Sequence, residues 1–363
     1  MRIQRLSSTH FRNLTHEPLL FSPGVNIFVG DNGHGKTNLL EALHIFKFGR
    51  SFRTSRDTDL VNFTEPFCRI EVTVDYSSED VETLSASIER DGTKRIKKND
   101  EEVAKLSELV GHYPCVLFGP QDLALASGFP AERRRFLDMT GSMTDRVYLS
   151  ELRAYRRVLT QRNASLKSGV SRSGRSVWDG ELVRTGCALI ERREDLIREL
   201  SVHIGSHIQS LNVAFPLEVV YESDISNDLP EGINREEHFA VRLADIEEEE
   251  TRRRTTLVGP HRDDVKFVLN GRDLRRFGSQ GQRRLLAILL RLAELSYMEE
   301  KLGEPCVLLL DDLFSELDDD VGEKLKGMLD DRHQLFVTSP TTMDWGSGNS
   351  SHVFRVCEGK ISV

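Results

Sequence analysis

The chain has 363 residues, room for one large domain or two lobes, and its 38% hydrophobic and 29% charged content excludes a disordered or fibrous protein. Its best apolar stretch is broken by Arg291 and Glu294, which excludes a membrane-spanning helix. The net charge of -9 is uneven: from Leu123 to Arg175 eleven Lys/Arg stand against four Asp/Glu, and from Glu222 to Glu250 two stand against eleven, so the acidic total does not exclude an anionic partner.

In chain order, the opening MRIQRLSSTHFRNL and then GVNIFVGDN read as short strands around turn residues. The opening lacks the apolar core of a signal peptide, so the expected location is the cytoplasm. TNLLEALHIFKF reads as a helix, with Leu39, Leu40, Leu43 and Phe46 at helical spacing. CRIEVTVDY and LSASIERDGTKRIKKND alternate and contain a turn, the pattern of antiparallel strands. From about Pro130 to Leu211 the pattern is mostly helical, and KSGVSRSGRS predicts a loop between two long helices. PLEVVYESD returns to strand, INREEHFAVRLADIEEEETRRRTT predicts one charged helix, and DVKFVLNGRDL predicts a hairpin at Asn270-Gly271. A helix from Gln282 and the strands CVLLLDD and QLFVTS complete the pattern. Cys68, Cys115, Cys187, Cys306 and Cys357 form no CxxC pair, which points to free thiols rather than a zinc or disulfide framework.

An α/β pattern at both ends thus encloses a helical middle. The expected organisation is a nucleotide-binding head built from residues 1–122 and 256–363, with a helical lobe, 123–255, inserted between them.

The chemistry starts at GDNGHGKT, which fits G-x-x-x-x-G-K-[ST] between an apolar strand and a helix. Gly30, Asp31, Asn32, Gly33, His34, Gly35, Lys36 and Thr37 would form the cradle for ATP. Their glycines let backbone N–H groups turn inward, and the helix N-terminus favours phosphate. Lys36 would reach the β- and γ-phosphates, and the Thr37 hydroxyl would bind Mg2+. In CVLLLDDLFSELD an apolar strand ends in Asp311-Asp312, at the strand end where such sheets place ligands. Asp311 would hold Mg2+ and Asp312 would orient or deprotonate the attacking water, the alternative for Asp312 being a helix cap.

These motifs, with SQGQ at Ser279–Gln282 between them, resemble the ABC-type P-loop ATPase head shared by SMC proteins and DNA-repair ATPases. The resemblance makes SELD, Ser315–Asp318, a D-loop and places Thr338-Ser339 where a switch residue, often His, is expected; no His stands there. Gln121 is the nearest counterpart of the Q-loop glutamine. HFRNL, GHGKTNLLEA, FGPQDLALASGFPAERRRFLD, VGPHRDD, SQGQRR and LLLDDLFSELD, running from end to end, are similar to the RecF family of bacterial recombination mediators, and the insertion is too short for a long coiled coil. The resemblance implies an ATP-dependent homodimer that binds single- and double-stranded DNA, hydrolyses ATP slowly, and acts in recombinational and gap repair with the mediator proteins RecR and RecO. It also implies that Ser279 and the amides of Gly281 and Gln282 close the nucleotide site of a second subunit. An ordinary cap by Ser279 is the alternative.

Arg153, Arg156 and Arg157 fall on one helix face, suited to phosphate-backbone contact or, equally, to a solvated face paired with acids such as Glu132 and Glu151. Arg133, Arg134 and Arg135 add to the basic run, and His261 with Arg262 would report nucleotide state or form a structural turn. Two rival functions share the site chemistry: an ABC transporter's nucleotide-binding subunit, and a scaffold that uses ATP only as structural glue.

Overall fold

A computed structural model describes all residues except His16, 77–79, 330–331, Asp344, 346–350 and Val363, and the side chains of Ser107, Arg172, Glu316 and Asp319. The chain divides into two compact units, Met1–Gln121 with Met298–Val363, and Asp122–Tyr297.

The first unit contains two sheets. Strands β1 (Arg2–Thr9), β2 (Leu19–Leu20), β4 (Phe67–Asp75), β5 (Val81–Glu89), β6 (Lys94–Lys98) and β7 (Glu101–Glu102) form an antiparallel sheet in the order β2-β1-β4-β5-β6-β7. Alternation along β4 buries Cys68, Ile70, Val72 and Val74 on one face, as a half-buried sheet requires. The second sheet is built from β3 (Val25–Val29), β8 (Cys115–Phe118), β12 (Val307–Leu310), β13 (Leu335–Ser339), β14 (Ser351–Cys357) and β15 (Lys360–Ser362) in the order β15-β14-β3-β13-β12-β8, where only β15 runs antiparallel. Strand β12 is a continuous apolar run, and both β12 and β13 are buried along their whole length. Helix α1 (Lys36–Phe48) follows β3, and one apolar core links it to both sheets through Phe28, Leu43, Phe46, Ile70 and Phe336.

The second unit carries α2 (Leu123–Ser127), α3 (Pro130–Thr144), α4 (Arg146–Lys167), α5 (Arg172–Ser210), α6 (Arg235–Asp245), α7 (Glu247–Arg253) and α8 (Leu274–Phe277), with a small sheet β11-β10-β9 made of β9 (Leu217–Glu222), β10 (Asp264–Leu269) and β11 (Arg272–Asp273). Helix α9 (Gln280–Leu302) leads back into the first unit, where α10 (Asp319–Met328) follows β12.

Three expectations change. The segment from 256 to 297 clusters with the middle unit rather than with the head, because β10 pairs with β9 along its whole length, Asp264 with Glu222 through Leu269 with Leu217. The loop expected at KSGVSRSGRS shrinks to 168–171, since Ser171 caps α5 by accepting from the Gly174 N–H and Arg175 anchors the first turn on the Val170 carbonyl and on Glu247. The single charged helix breaks at Ile246 into α6 and α7. Four acids open α7 and two arginines close it, the order a helix dipole favours.

Much of the charge asymmetry is spent internally. Buried Arg162 donates to Asp179 at 2.7 Å and to Glu250 at 2.7 Å, Arg175 meets Glu247 at 3.2 Å, and Arg133 forms two 2.8 Å bonds to Asp264. The basic and acidic segments therefore hold each other.

Candidate nucleotide-binding site

Strand β3 is flanked by β13 and β14, and Gly30 ends it with its N–H on the Ser339 carbonyl at 3.3 Å. A Cβ at Gly30 would stand 2.2 Å from the Val356 carbonyl oxygen, so only glycine fits. Gly35 has φ 107 directly before α1, a conformation that glycine adopts without strain. Lys36 is 4% exposed, and its Nζ donates to the carbonyls of Gly30 at 2.6 Å and Asp31 at 3.2 Å, inside the loop. Asp31, Asn32 and Gly33 are exposed on its outer edge. The His34 carbonyl accepts from the Gly359 N–H and from Asn13.

Asp311 follows β12, between β13 and β8, and is 5% exposed. Its Oδ1 accepts from the hydroxyls of Thr37 and Thr338, both at 2.9 Å. Burial pushes the Asp311 carboxyl above its ordinary range; the two hydroxyls pull it back, Asp312 raises it, and Arg53 lowers it. Asp312 sits in the left-handed region at φ 50. Its N–H donates to Thr338 Oγ1 at 2.9 Å, and its carbonyl accepts from the Ser315 hydroxyl at 2.7 Å. The Asp312 side chain caps no helix, and its Oδ1 is buried without a partner among the described residues. Thr338, at the expected switch position, thus ties the two acidic residues together. Gln121 is exposed in the short turn after β8.

One cluster was not foreseen as part of the site. Arg12 grips the fully buried Glu41 with bonds of 3.0 and 2.9 Å, the Ser51 hydroxyl reaches the same carboxylate, and Arg53 lies 2.6 Å from Asn38 Oδ1 and 3.6 Å from Glu41. Asn38 donates to Asn13 at 2.8 Å. Glu41 stands one helical turn after Thr37, a spacing that marks it as a brace beneath the cradle.

The tetrad Ser279–Gln282 belongs to the middle unit. Ser279 Oγ accepts from the Gln282 N–H at 3.2 Å, and Gln282 Oε1 accepts from the Ser279 N–H at 2.9 Å, a reciprocal capping box on α9. Ser279 and Gly281 are nonetheless exposed, and nothing lies within 4 Å of a Cβ built on Gly281. On α4, Arg153, Arg156 and Arg157 are all exposed, opposite buried Leu152, Tyr155 and Val158. Arg156 pairs with Asp138 at 3.0 Å, whereas Arg153 and Arg157 have no acidic partner among the described residues. Arg133 and Arg134 instead face inward, onto Asp264 and the Asp263 carbonyl. His261 is part of a structural hub: its Nε2 meets the Thr256 carbonyl at 3.1 Å, and its Nδ1 meets the Tyr155 hydroxyl at 2.6 Å. Arg262 is exposed.

Comparison with known proteins places the chain in a family. The family model described as "RecF/RecN/SMC N terminal domain" matches residues 2–357. The DNA replication and repair protein RecF of Symbiobacterium thermophilum is 39% identical over 385 residues, covering 99% of this chain and 98% of that protein. That of Geobacillus kaustophilus is 37% identical, with 100% of each covered. A solved structure of the recombination mediator protein RecF with ATP superposes with TM-score 0.90 at 31% identity, covering 99% of this chain and 97% of that one. The Smc head domain of Pyrococcus furiosus, at TM-score 0.56 and 16% identity over 99% of this chain and 95% of that one, shares the fold. The expected α/β architecture, an ABC-type ATPase head with an inserted helical lobe, is therefore the fold, and the chain belongs to the RecF family of DNA replication and repair proteins.

Proposed function

We propose that the chain is an ATP-dependent DNA-binding protein of recombinational and replication-gap repair. The observation that carries this is the convergence of Lys36, Thr37, Asp311, Asp312 and Thr338 at the carboxyl ends of the parallel strands β3, β12 and β13. The donor set suits Mg2+ with a nucleotide. The Thr37 hydroxyl and the Asp311 carboxylate are hard oxygens 2.9 Å apart, and buried Asp312 Oδ1 lacks a partner among the described residues. When bound, Mg2+ supplies charge neutralisation at the phosphates.

Each residue then has a task. The loop amides and the Lys36 ammonium would hold the phosphates, whose oxygens take the place of the Gly30 and Asp31 carbonyls as acceptors from Nζ. Asp312 orients the attacking water and takes its proton. Thr338 fixes the Asp312 backbone and orients Asp311. Ser279 and Gly281, exposed at the start of α9, close the site of a second copy, so ATP joins two subunits and hydrolysis releases them. The capping box is compatible with this, because it presents the turn already ordered. The exposed face of α4 contacts the phosphate backbone. RecR and RecO are the partners and recombinase loading the outcome; the support is a structural neighbour that bears the name of the RecFOR pathway. The relatives found are DNA replication and repair proteins, which favours this reading over a transporter subunit.

Sedimentation and DNA binding with ATP, with ADP and without nucleotide test the proposal. Dimer formation and DNA binding should both require ATP. A chain that stays monomeric with ATP, or binds DNA equally in all three conditions, overturns it.

A further inference from the structure

The turn that carries Asp312 is gripped at a second point as well. Phe314, two residues after Asp312, lies against Trp345 with ring centroids 5.3 Å apart and planes at 85°. It also lies against α10: a Cβ on Gly322 would come within 3.7 Å of Phe314 Cδ1. Lys326 Nζ lies 5.7 Å from the Phe314 ring and 6.0 Å from the Trp345 ring. An edge-to-face pair crowned by a cation is directional, so it fixes ring orientation as well as burying apolar area.

We infer that Trp345 is a positioning residue for ATP hydrolysis, holding Asp312 in place through Phe314. The inference rests on the reading of Asp312 as the group that orients water. Asp312 occupies a left-handed backbone conformation that a non-glycine residue keeps only when its surroundings enforce it. Thr338 enforces it at the N–H, and Ser315 at the carbonyl. Phe314 forms part of the same turn, Leu313–Glu316, so a freed ring lets the turn rotate and carries the carboxylate away from its working position. Thr338 lies near the end of β13 and Trp345 follows beyond it, so β13 and the chain leaving it each hold this turn once. Among the described residues, Phe314 and Trp345 make no hydrogen bond or ring contact with Gly30–Thr37, so this second grip should bear little on nucleotide affinity.

The test is steady-state ATP turnover by the full chain, with thermal stability measured alongside. Trp345→Ala should lower kcat roughly ten- to hundredfold, the scale of a misplacement near 1 Å, and leave KM for ATP within about twofold. Trp345→Phe retains an edge-to-face partner and should recover most of kcat. Parent-like kcat in Trp345→Ala overturns the inference, and so does a loss of kcat accompanied by a proportional rise in KM and a lowered Tm. Absence of turnover in the parent chain instead sinks the ATPase reading beneath it. Should Trp345→Ala fail to fold, Trp345→Leu, which keeps apolar bulk but no ring, decides: a lowered kcat at unchanged KM supports the inference, and a parent-like kcat overturns it.

Discussion

Arg153 and Arg157 offer the sharpest test of DNA contact, because the structure separates them from their neighbour. Arg156 shares Asp138 with buried Arg193 and Tyr148, so changing it disturbs a packed network. Arg153 and Arg157 are exposed, without acidic partners among the described residues, and glutamine at both keeps a good helix former on α4. The double substitution should therefore leave folding stability within about 0.5 kcal/mol of the parent. If both side chains neutralise phosphates, the slope of log K against log salt should become shallower by about 1.8, at about 0.9 per phosphate. The same exponent makes the affinity loss about sevenfold greater at 0.1 M salt than at 0.3 M. Fluorescence anisotropy with labelled DNA, in the presence of ATP and across a salt series, reads both quantities. Parallel slopes for parent and variant would show that this face is merely solvated and that DNA is held elsewhere.

Asp312→Asn should preserve ATP binding while lowering turnover, since asparagine tolerates the left-handed backbone but is a poor base; an unchanged rate would remove Asp312 from catalysis. Lys36→Met and Ser279→Arg should each be inactive alone, and their mixture should regain roughly a quarter of parent activity if sites form between subunits with random pairing. Ser279→Ala controls for the lost cap, worth about 1 kcal/mol; a mixture that stays inactive despite subunit exchange refutes the closure in trans. His261 is held at about 4 by burial, with Arg262, Arg134 and Arg162 adding to the fall and the Thr256 carbonyl opposing it. The unfolded chain, with an ordinary value of 6.5, binds that proton first. Stability from this residue is therefore complete above about 6.5 and is lost as pH falls toward 4, by roughly 2–4 kcal/mol. Urea denaturation at pH 7 and 4.5 should show the loss, and His261→Gln should reduce it; equal sensitivity in the two proteins would refute the assignment.

The sequence by itself determined the strand–loop–helix that bears Lys36 and Thr37 and the apolar strand that ends in Asp311-Asp312. Their cause is local: glycines at fixed offsets, a helix start, and a continuous apolar run that only a buried parallel strand explains. It also determined the one-sided face of α4, because helical periodicity alone puts Arg153, Arg156 and Arg157 opposite Tyr155. Tertiary structure decided the matters that depend on pairing across long separations. The segment bearing Ser279 joins the middle unit through the β9–β10 ladder, a hydrogen-bonding choice that neither strand's composition announces. Arg133 and Arg162 look like surface cations in the chain and are buried, because Asp264 and Glu250, remote in sequence, supply the charge that makes burial tolerable. The support of the acidic pair by Thr338, and of its turn by Trp345, arises only when β13 and the chain after it are laid beside β12. Local propensity set the parts, and non-local hydrogen bonds and ion pairs set their company.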